Sequence, residues 1–466
     1  MKRKDLTTLL IQENAELRAS NAELRALVAK QAAIIVKLEA RIAELERRLN
    51  LDSSNSSKPP SSDGLQKKPA PQSLRENGKL KSGGQEGHTG HTLKQVSNPD
   101  HIIIHEVKAC ISCNASLANC PTVRYIKRQV FDIPEPHIEV TEHQAAVTVC
   151  ACGQHNTAEF PAEVTAPVQY GNLIKTLTVY FSNEQHIPED RLQILFLDVF
   201  KLTISTATLV EISRTFSKLV APIQERVLEL LKAAFLKHLD ETGFRINGKT
   251  SWLHSISNDL LTHYRPSLKR GDISKGLRGI VVHDHWKPYF TLEKVLHALC
   301  NAHHLRELKA LAEIEKEVWA IQMARLLNIL NRMKDPPIER MFRIYDDIVN
   351  RGLAFHESQP PLSARKNKRR TGHNLLLRLK NYKDAVLRFL TTPGVPFTNN
   401  QAEQDIRMMK VKQKISGGFR TMQGAETFCT IRGFLSTCRK HGLNLFQAIM
   451  QSFAGNHPNF RATPTP

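Results

Sequence analysis

Three acidic residues stand at positions where carboxylates could hold divalent cations. Asp240 lies in an apolar run that predicts a strand, and Asp284 ends a second apolar run over residues 279–284. Glu403 comes much later and opens a helical pattern. Carboxylate oxygens are the ligands that Mg²⁺ prefers, so these acids are candidate metal ligands. Each also has a simpler interpretation: Asp240 as a turn acid, Asp284 as a helix N-cap, and Glu403 as a capping-box acid.

Cationic residues share the predicted helix face of Glu403. Arg407, Lys410 and Lys414 follow it at a 4-3-4 spacing. A carboxylate beside three cations is suited to holding a metal ion next to a phosphate, so we predict that these three residues contact DNA. Glu241 follows Asp240 directly and should point to the opposite face of the strand, away from the metal.

Several strings of residues carry a resemblance to a known family: HLDETGF, VHDHW, LCNAHHLRELKAL, TNNQAEQDIRMMKVKQKISGGFR, NSSKPPSSDG and GGQEGHTGH, together with a cysteine pair near the N-terminus. Over nearly its full length the chain resembles the DDE transposases of the insertion-sequence-66 family. That resemblance implies a bacterial or mobile-element origin and a ribonuclease H-like core. It also implies that Asp240, Asp284 and Glu403 hold two Mg²⁺ ions as the catalytic set.

The acid in the first predicted strand belongs to a β-meander. The strand is expected to end at Asp240, followed by a tight break at Gly243. Two more strands follow, with polar turns at Asn247-Gly248 and Asn258-Asp259. The interval from Asp284 to Glu403 is longer than such a core needs, and its pattern predicts an α-helical insertion over about residues 305–390.

A heptad pattern runs through residues 5–50. Leucine dominates one seam position, at Leu17 and Leu24 for example, and β-branched residues and asparagine occupy the other, including Asn14 and Asn21. This pattern favours a parallel two-stranded coiled coil in fixed register, and hence a homodimer or higher oligomer. The alternative is a helix packed on its own chain.

Residues 51–100 hold nine Ser, five Pro and six Gly with almost no apolar periodicity, which predicts a disordered linker. Its Lys, Ser and Gly residues could instead follow a phosphate backbone. Beyond it, alternating apolar residues predict strands at 102–104, 129–133, 138–140 and 147–149.

Two close thiol pairs, Cys110-x-x-Cys113 and Cys150-x-Cys152, lie among these strands. Thiolates at hairpin ends can form a tetrahedral Zn²⁺ site whose metal supplies folding energy to a small module. The resemblance also implies a zinc-finger module here. We interpret Cys120 as a plain apolar residue, and keep His137 and His143 as alternative ligands.

Residues 165–235 predict three helices. Pro188 opens the second and Ser205 caps the third, which is the outline of a helix-turn-helix, although many helical bundles share it. We predict DNA contact near Ser205. A basic stretch at 361–380, with seven Lys or Arg and no acid, predicts either a solvated loop or a DNA-contacting arm. Its candidate DNA-binding residues are Arg365, Lys366, Lys368, Arg369 and Arg370.

The predicted architecture is a multidomain α/β protein. Its parts are a coiled coil (1–50), a linker (51–100), a β-rich zinc module (101–164), a helical DNA-binding domain (165–235), a catalytic core (236–447) and a C-terminal tail (448–466). The pair Cys300-x-x-His303 has metal-ligand spacing but no second pair nearby. We therefore interpret it as packing or DNA positioning, with metal binding as the alternative.

The bulk composition agrees with a polyanionic partner. The net charge is +20, and each phosphate neutralised by Lys or Arg releases counterions. No apolar run approaches the length of a membrane span, the N-terminus lacks a signal-peptide core, and eight cysteines in 466 residues do not suggest a disulfide scaffold. We expect a bacterial cytoplasmic, nucleoid-associated protein.

The predicted function is transposition of an insertion sequence. The protein would bind the terminal inverted repeats, cleave a strand, and join the freed 3′-hydroxyl to target DNA, with or without accessory proteins of the element. Two alternatives remain: a non-catalytic DNA-binding regulatory or structural protein, and a nuclease of the same fold without strand transfer.

Overall fold

The computed structural model of the chain describes residues 4–49, 51, 92–360 and 369–461. The chain is a mixed α/β protein with a helical N-terminus and a core that contains a sheet. Of the helices in the described ranges, each is too short or too polar to cross a membrane. The predicted linker lies almost wholly outside the described residues.

The first helix, α1 (Lys4–Leu49), is rich in Ala, Leu, Glu and Arg, which are strong helix formers. Its seam side chains lie open to solvent, with Leu17 61% and Val28 62% exposed. The alternative of a helix packed on its own chain therefore does not describe this structure.

The segment from residue 92 to residue 171 contains little regular structure, and the structure describes all of it. Two strands, β1 (Val147–Val149) and β2 (His155–Thr157), form an antiparallel hairpin. The predicted strands at 102–104, 129–133 and 138–140 are wrong, because these residues lie outside any β-ladder. Their apolar side chains are solvent-exposed, so alternation alone does not create a strand when no partner strand or core accepts it.

A five-stranded mixed sheet forms the centre of the remaining chain. Its strands are β3 (Leu236–Ile246), β4 (Lys249–Ser257), β5 (Thr262–Ser267), β6 (Gly279–His283) and β7 (Val295–Leu299). They lie side by side in the order β5-β4-β3-β6-β7, with antiparallel pairing among β3, β4 and β5 and parallel pairing among β3, β6 and β7.

The turn between β3 and β4 forms as the sequence predicts. Asn247 and Gly248 both have positive φ, 46° and 73°, as a two-residue hairpin turn requires. The predicted break at Gly243 is wrong, because β3 continues through it to Ile246. Gly243 pairs with Trp252, whose indole ring lies over it.

One layer of helices packs against the sheet around a single large core. It includes α2 (Asn172–Val179), α3 (Glu189–Phe200), α4 (Thr206–Ala233), α11 (Met422–Lys440) and α12 (Leu445–Phe453). Leu209, Phe216 and Leu231 of α4 share this core with Leu239 of β3 and Phe434 of α11.

This packing corrects two predicted boundaries. The boundary at residue 235 does not separate two cores, since α2–α4 and the sheet bury their apolar side chains together. The boundary at residue 447 cuts through α12, whose Ala448 and Ile449 are buried, and Phe460 beyond it is buried in the same core. A tertiary match of this kind leaves no local mark in the sequence.

The helix α10 (Asn400–Ser416) packs against β3 and β4. Its Ile406 and Met409 contact a core that includes Phe244 and Ile246 of β3, whereas Leu239 belongs to the first core. Because successive side chains of a strand alternate, even-numbered residues of β3 face α10.

Within the described residues, the predicted helical insertion contains five helices that share a second core, to which Leu299 of β7 also belongs. They are α5 (Asn301–Glu313), α6 (Val318–Arg332), α7 (Ile338–Glu357), α8 (Thr371–Asn381) and α9 (Lys383–Thr391).

Candidate active site

Asp240 lies in the middle of β3, on the even-numbered face. Its Oδ1 accepts a hydrogen bond from the Glu241 N–H at 2.9 Å. Burial raises its pKa well above the usual value, and the charges of Glu241, Asp284 and Glu403 raise it further. Carboxylates from three parts of the sequence therefore repel one another at this place.

Asp284 follows the last residue of β6, the parallel neighbour of β3. His238 pairs with Val282, so two residues further along each strand Asp240 and Asp284 come to the same level of the sheet. The Oδ1 of Asp284 accepts the Trp286 N–H at 2.9 Å, which forms the turn into a short 3₁₀ helix. Burial, and next the charge of Glu241, raise the pKa of Asp284 to about 6.

Glu403 lies in the first turn of α10. The residue before this helix, Asn399, ties its start to β3. Its Nδ2 donates to the Leu239 carbonyl at 2.8 Å, and its Oδ1 lies 2.7 Å from His238 Nδ1. Asn399 is buried and so fixes Glu403 relative to the strand that carries Asp240. Sequence reasoning missed this role, although the pair of asparagines before a helical pattern was a usable signal.

Glu241 lies on the other face of β3 from Asp240, as predicted, but its side chain is buried and hydrogen-bonded. Its side chain is 2% exposed. It accepts hydrogen bonds from Arg270 Nε and Nη2 at 3.0 and 2.6 Å, and from the Tyr289 hydroxyl. The Arg270 guanidinium lies 4.8 and 4.4 Å from the ring centroids of Trp252 and Trp286.

This network lies directly beneath the Asp284 turn, because Trp286 and Tyr289 follow Asp284 in the chain. Neither Arg270 nor Tyr289 was predicted as a site residue. Arg270 lies in the β5–β6 connection and Tyr289 in the β6–β7 connection, and both meet β3 at Glu241 through tertiary packing that no local pattern encodes. The network holds the Asp284 turn against the strand that carries Asp240.

Cys300, His303 and Glu403 form a group that the sequence did not predict. One ligand atom from each residue lies within 4.8 Å of the others, and in the described ranges this is the set of three potential ligands that meets that distance. Asp240 and Asp284 are not members of it. The pair Cys300-x-x-His303, interpreted above as packing or DNA positioning, thus gains a third potential ligand from α10.

The two N-terminal cysteine pairs each form a tight turn. The backbone N–H of Cys113 approaches the Cys110 thiol and lowers its pKa, and the N–H of Cys152 does the same for Cys150. Such turns favour the thiolate that a metal requires. The structure does not bring three of these four sulfur atoms within 4.8 Å of one another. Cys120 is exposed.

The candidate DNA-binding residues differ in their availability. Arg407 and Lys414 are exposed on α10, whereas the Lys410 ammonium donates to the Gly243 carbonyl at 2.7 Å and burial lowers its pKa. The Ser205 hydroxyl accepts the Thr208 N–H and so caps α4. In the basic stretch, the structure describes two of the candidates: Arg369 is exposed and Arg370 is half-buried. The other three, Arg365, Lys366 and Lys368, lie outside the described residues.

Comparison with known families shows which family this multidomain α/β chain belongs to. The model described as "Transposase IS66 family" matches residues 167–427, more than half of the chain. The chain belongs to this family, and the resemblance found in its motifs is confirmed. The matched region begins at α2, in agreement with the core that α2–α4 share with the sheet.

Two other similarities concern uncharacterised proteins. A model described as a family of unknown function (DUF6444) matches residues 7–94. The uncharacterized protein y4jO of Sinorhizobium fredii is 37% identical over 84 residues, which are 17% of this chain and 26% of that protein. The chain therefore spans about a quarter of the length of this curated relative.

Proposed function

We propose that this protein is a DDE-type DNA transposase of an insertion sequence, with Asp240, Asp284 and Glu403 as its catalytic carboxylates. The observation that carries the proposal is the electrostatic effect of the other two carboxylates on Asp240. Burial raises the pKa of Asp240 most, followed by the charge of Glu241, and the charges of Asp284 and Glu403 raise it further, although these two come from a strand end and a helix. A protein has little reason to concentrate partly buried negative charge unless a cation or a proton neutralises it.

The sheet supports the assignment of the core to the ribonuclease H-like fold. Its order β5-β4-β3-β6-β7 has three antiparallel strands followed by two parallel ones. Asp240 lies on the central strand and Asp284 at the end of its parallel neighbour, where the resemblance to DDE transposases predicts them. The α-helical insertion separates Asp284 from Glu403 without disturbing that order.

The donor set fits Mg²⁺. Carboxylate oxygens are hard ligands, and a cation would offset the burial and the neighbouring negative charge that raise the pKa of Asp240 and Asp284. Bound there, two Mg²⁺ ions would activate water and stabilise the attacking and leaving oxygens of a phosphodiester. In such sites the two ions lie about 3.5–4 Å apart, so three shared carboxylates need not all lie within 4.8 Å of one another.

The chain's own residues would position the DNA. Arg407 and Lys414 extend from the helix of Glu403 into solvent, where they can contact phosphates on either side of the reacting bond. The proposed reaction is hydrolysis at the element's end, followed by in-line attack of the freed 3′-hydroxyl on target DNA. With a net charge of +20, binding should weaken steeply as salt increases.

Recognition of the terminal repeats would involve the N-terminal modules and the α3–α4 corner around Ser205. Much of α4 is buried, so only its exposed face and the preceding turn can meet DNA. The exposed seam of α1 supports assembly as a parallel coiled-coil dimer.

The two cysteine turns support one structural Zn²⁺ held by Cys110, Cys113, Cys150 and Cys152, with each turn as half of the site. In metal analysis, the full chain with Cys113→Ser should contain one zinc ion per chain less than the unchanged protein. Unchanged zinc content would remove this assignment.

The proposal is tested with the full chain and DNA duplexes taken from the sequences that flank its gene on either side. With Mg²⁺ we expect strand cleavage and, with target DNA, a joined product; with EDTA we expect neither. Cleavage without joining would favour the nuclease alternative. Salt-sensitive binding without cleavage would favour a non-catalytic DNA-binding protein.

A further inference from the structure

The junction between α5 and α10 contains a second set of metal-ligand chemistry. Cys300 immediately precedes α5, His303 lies in its first turn, and Glu403 lies in the first turn of α10. One ligand atom of each lies within 4.8 Å of the other two. Ligand atoms bound tetrahedrally about 2.0–2.3 Å from one ion lie about 3.3–3.8 Å from each other, so side-chain movements of about 1 Å would close the set.

The chemistry of this set differs from that of the proposed Mg²⁺ site. A thiol, an imidazole and a carboxylate suit a borderline ion such as Zn²⁺, whereas Mg²⁺ prefers oxygen ligands alone. Three protein ligands also leave the fourth position of a tetrahedral Zn²⁺ open to water or to a phosphate oxygen.

The surrounding contacts leave the ligands available. The Nδ1 of His303 is buried and has no hydrogen-bond partner among the described residues. The Cys300 Sγ accepts the Asn399 N–H at 3.1 Å, and the N–H groups of His303 and Ala302 also favour a thiolate at this position. The nearest cation to Glu403, Arg306, lies 3.9 Å away, a loose ion pair that a metal ion can displace.

Two of the three potential ligands, Cys300 and His303, are uncharged in the folded protein. Burial raises the pKa of the Cys300 thiol to about 11, so the sulfur keeps its proton when no metal is bound. Burial lowers the pKa of His303 to about 4, so its imidazole is neutral. Coordination would release the thiol proton to solvent as the sulfur–metal bond forms.

We propose that Cys300, His303 and Glu403 form a binding site for one Zn²⁺-class ion, and that its occupation takes Glu403 away from Asp240 and Asp284. The first part stands on the ligand geometry alone. The second part rests on the proposed function, because it makes Glu403 a ligand shared by two alternative metal states. Zinc would then inhibit a reaction that magnesium supports.

Binding is tested with Co²⁺ as an optical probe of thiolate ligation. The probe protein is the full chain with Cys110, Cys113, Cys150 and Cys152 changed to Ser, which silences the N-terminal pairs. None of these four residues belongs to a described hydrophobic core. We expect one equivalent of Co²⁺ to give a thiolate-to-metal charge-transfer band.

Two variants and one control decide the outcome. Cys300→Ser should abolish the band, and His303→Ala should weaken Co²⁺ binding by at least about 10-fold. Cys120→Ser, which removes an exposed thiol elsewhere, should leave the band unchanged. Absence of the band in the probe protein, or its persistence in Cys300→Ser, would overturn the site. If Cys300→Ser fails to fold, unchanged Co²⁺ affinity in His303→Ala overturns it equally.

The shared-ligand step is tested by the ratio of cleavage rates with and without stoichiometric Zn²⁺ at fixed Mg²⁺, each protein being compared with itself. The full chain with its native N-terminal cysteines should lose at least about 10-fold of its rate, and the full chain with His303→Ala should lose much less. Equal inhibition of both would refute the sharing of Glu403. Because the Co²⁺ measurement needs no activity, failure of the transposase assignment and failure of the metal site give different results.

Discussion

Most of the apolar side chains described from Asn172 onward pack against one another, whereas those described before it are mostly in contact with water. Leu231 and Phe434 are fully buried, but Ile103 is 78% and Val130 90% exposed. Both regions have apolar residues in regular patterns. The difference is that the region from Asn172 onward contains a sheet and helices that cover each other's apolar faces, and the region before it does not.

Order in the N-terminal region must therefore come from something other than its own packing. We propose that the exposed seam of α1 packs against a second identical helix, and that the paired cysteine turns share a metal ion. In the C-terminal region the situation is reversed. There the apolar side chains supply the order, and burial together with neighbouring negative charge raises the pKa of Asp240 and Asp284.

The largest expected effect lies in the C-terminal core. Glu184 pairs with Arg432, which is 1% exposed, and also with Arg439. Glu184→Ala would leave a buried guanidinium without its partner and should reduce the free energy of unfolding by about 3–5 kcal/mol. The matched control is Asp347→Ala, which breaks an exposed pair with Arg351 and should cost less than about 1 kcal/mol. Equal unfolding midpoints in urea for the two variants would contradict the comparison.

Glu241 should give the next largest change. Glu241→Ala removes the acceptor of Arg270 and Tyr289 and should cost about 1.5–3 kcal/mol. Glu241→Gln keeps one acceptor oxygen and should cost clearly less. Urea unfolding measures both. A neutral Glu241→Ala would mean that the network does not hold the Asp284 turn in place.

Replacing Asp284 should increase the free energy of unfolding, whereas replacing Glu184 or Glu241 should reduce it. Its pKa is raised from the usual 3.8 to about 6, so the folded state binds the proton more tightly than the unfolded state does. Stability is therefore lost as pH rises from about 4 through 6, and at pH 8 the full penalty remains. In EDTA at pH 8, Asp284→Asn should stabilise the protein by about 1–2 kcal/mol, and near pH 4 it should have little effect. Destabilisation at pH 8 would mean that the carboxylate is compensated within the protein.

The smallest expected effect on the core comes from removing α1. A chain that lacks residues 1–50 should lose its coiled-coil assembly, while the unfolding free energy of the core changes by less than about 0.5 kcal/mol. Light scattering and urea unfolding of the same samples give both numbers. An unchanged molar mass would assign the assembly to another surface.

The sequence predicted the features that short-range rules determine and missed those that tertiary packing determines. The Asn247-Gly248 turn, the long N-terminal helix and the helical insertion were readable because short-range rules determine them. The boundary at 235 and the break at Gly243 were wrong because tertiary packing decided them: α4 completes the sheet's core, and Trp252 covers Gly243. The proximity of Glu403 to Cys300 and His303 could not be read, since it depends on how α10 meets α5.

The central claim is that Asp240, Asp284 and Glu403 act together in metal-dependent chemistry on DNA. The most direct test is Mg²⁺-dependent cleavage of an element-end duplex by the full chain and by Asp240→Asn, Asp284→Asn and Glu403→Gln, with binding of the same duplex measured in EDTA. Each of the three should lose about 10³-fold or more in rate while binding is retained, because affinity comes mainly from Lys and Arg elsewhere. Glu241→Gln, next to Asp240 but on the other face of β3, should keep most of its rate. Full activity in any of the three variants, or an inactive Glu241→Gln beside an active Asp240→Asn, would contradict the assignment.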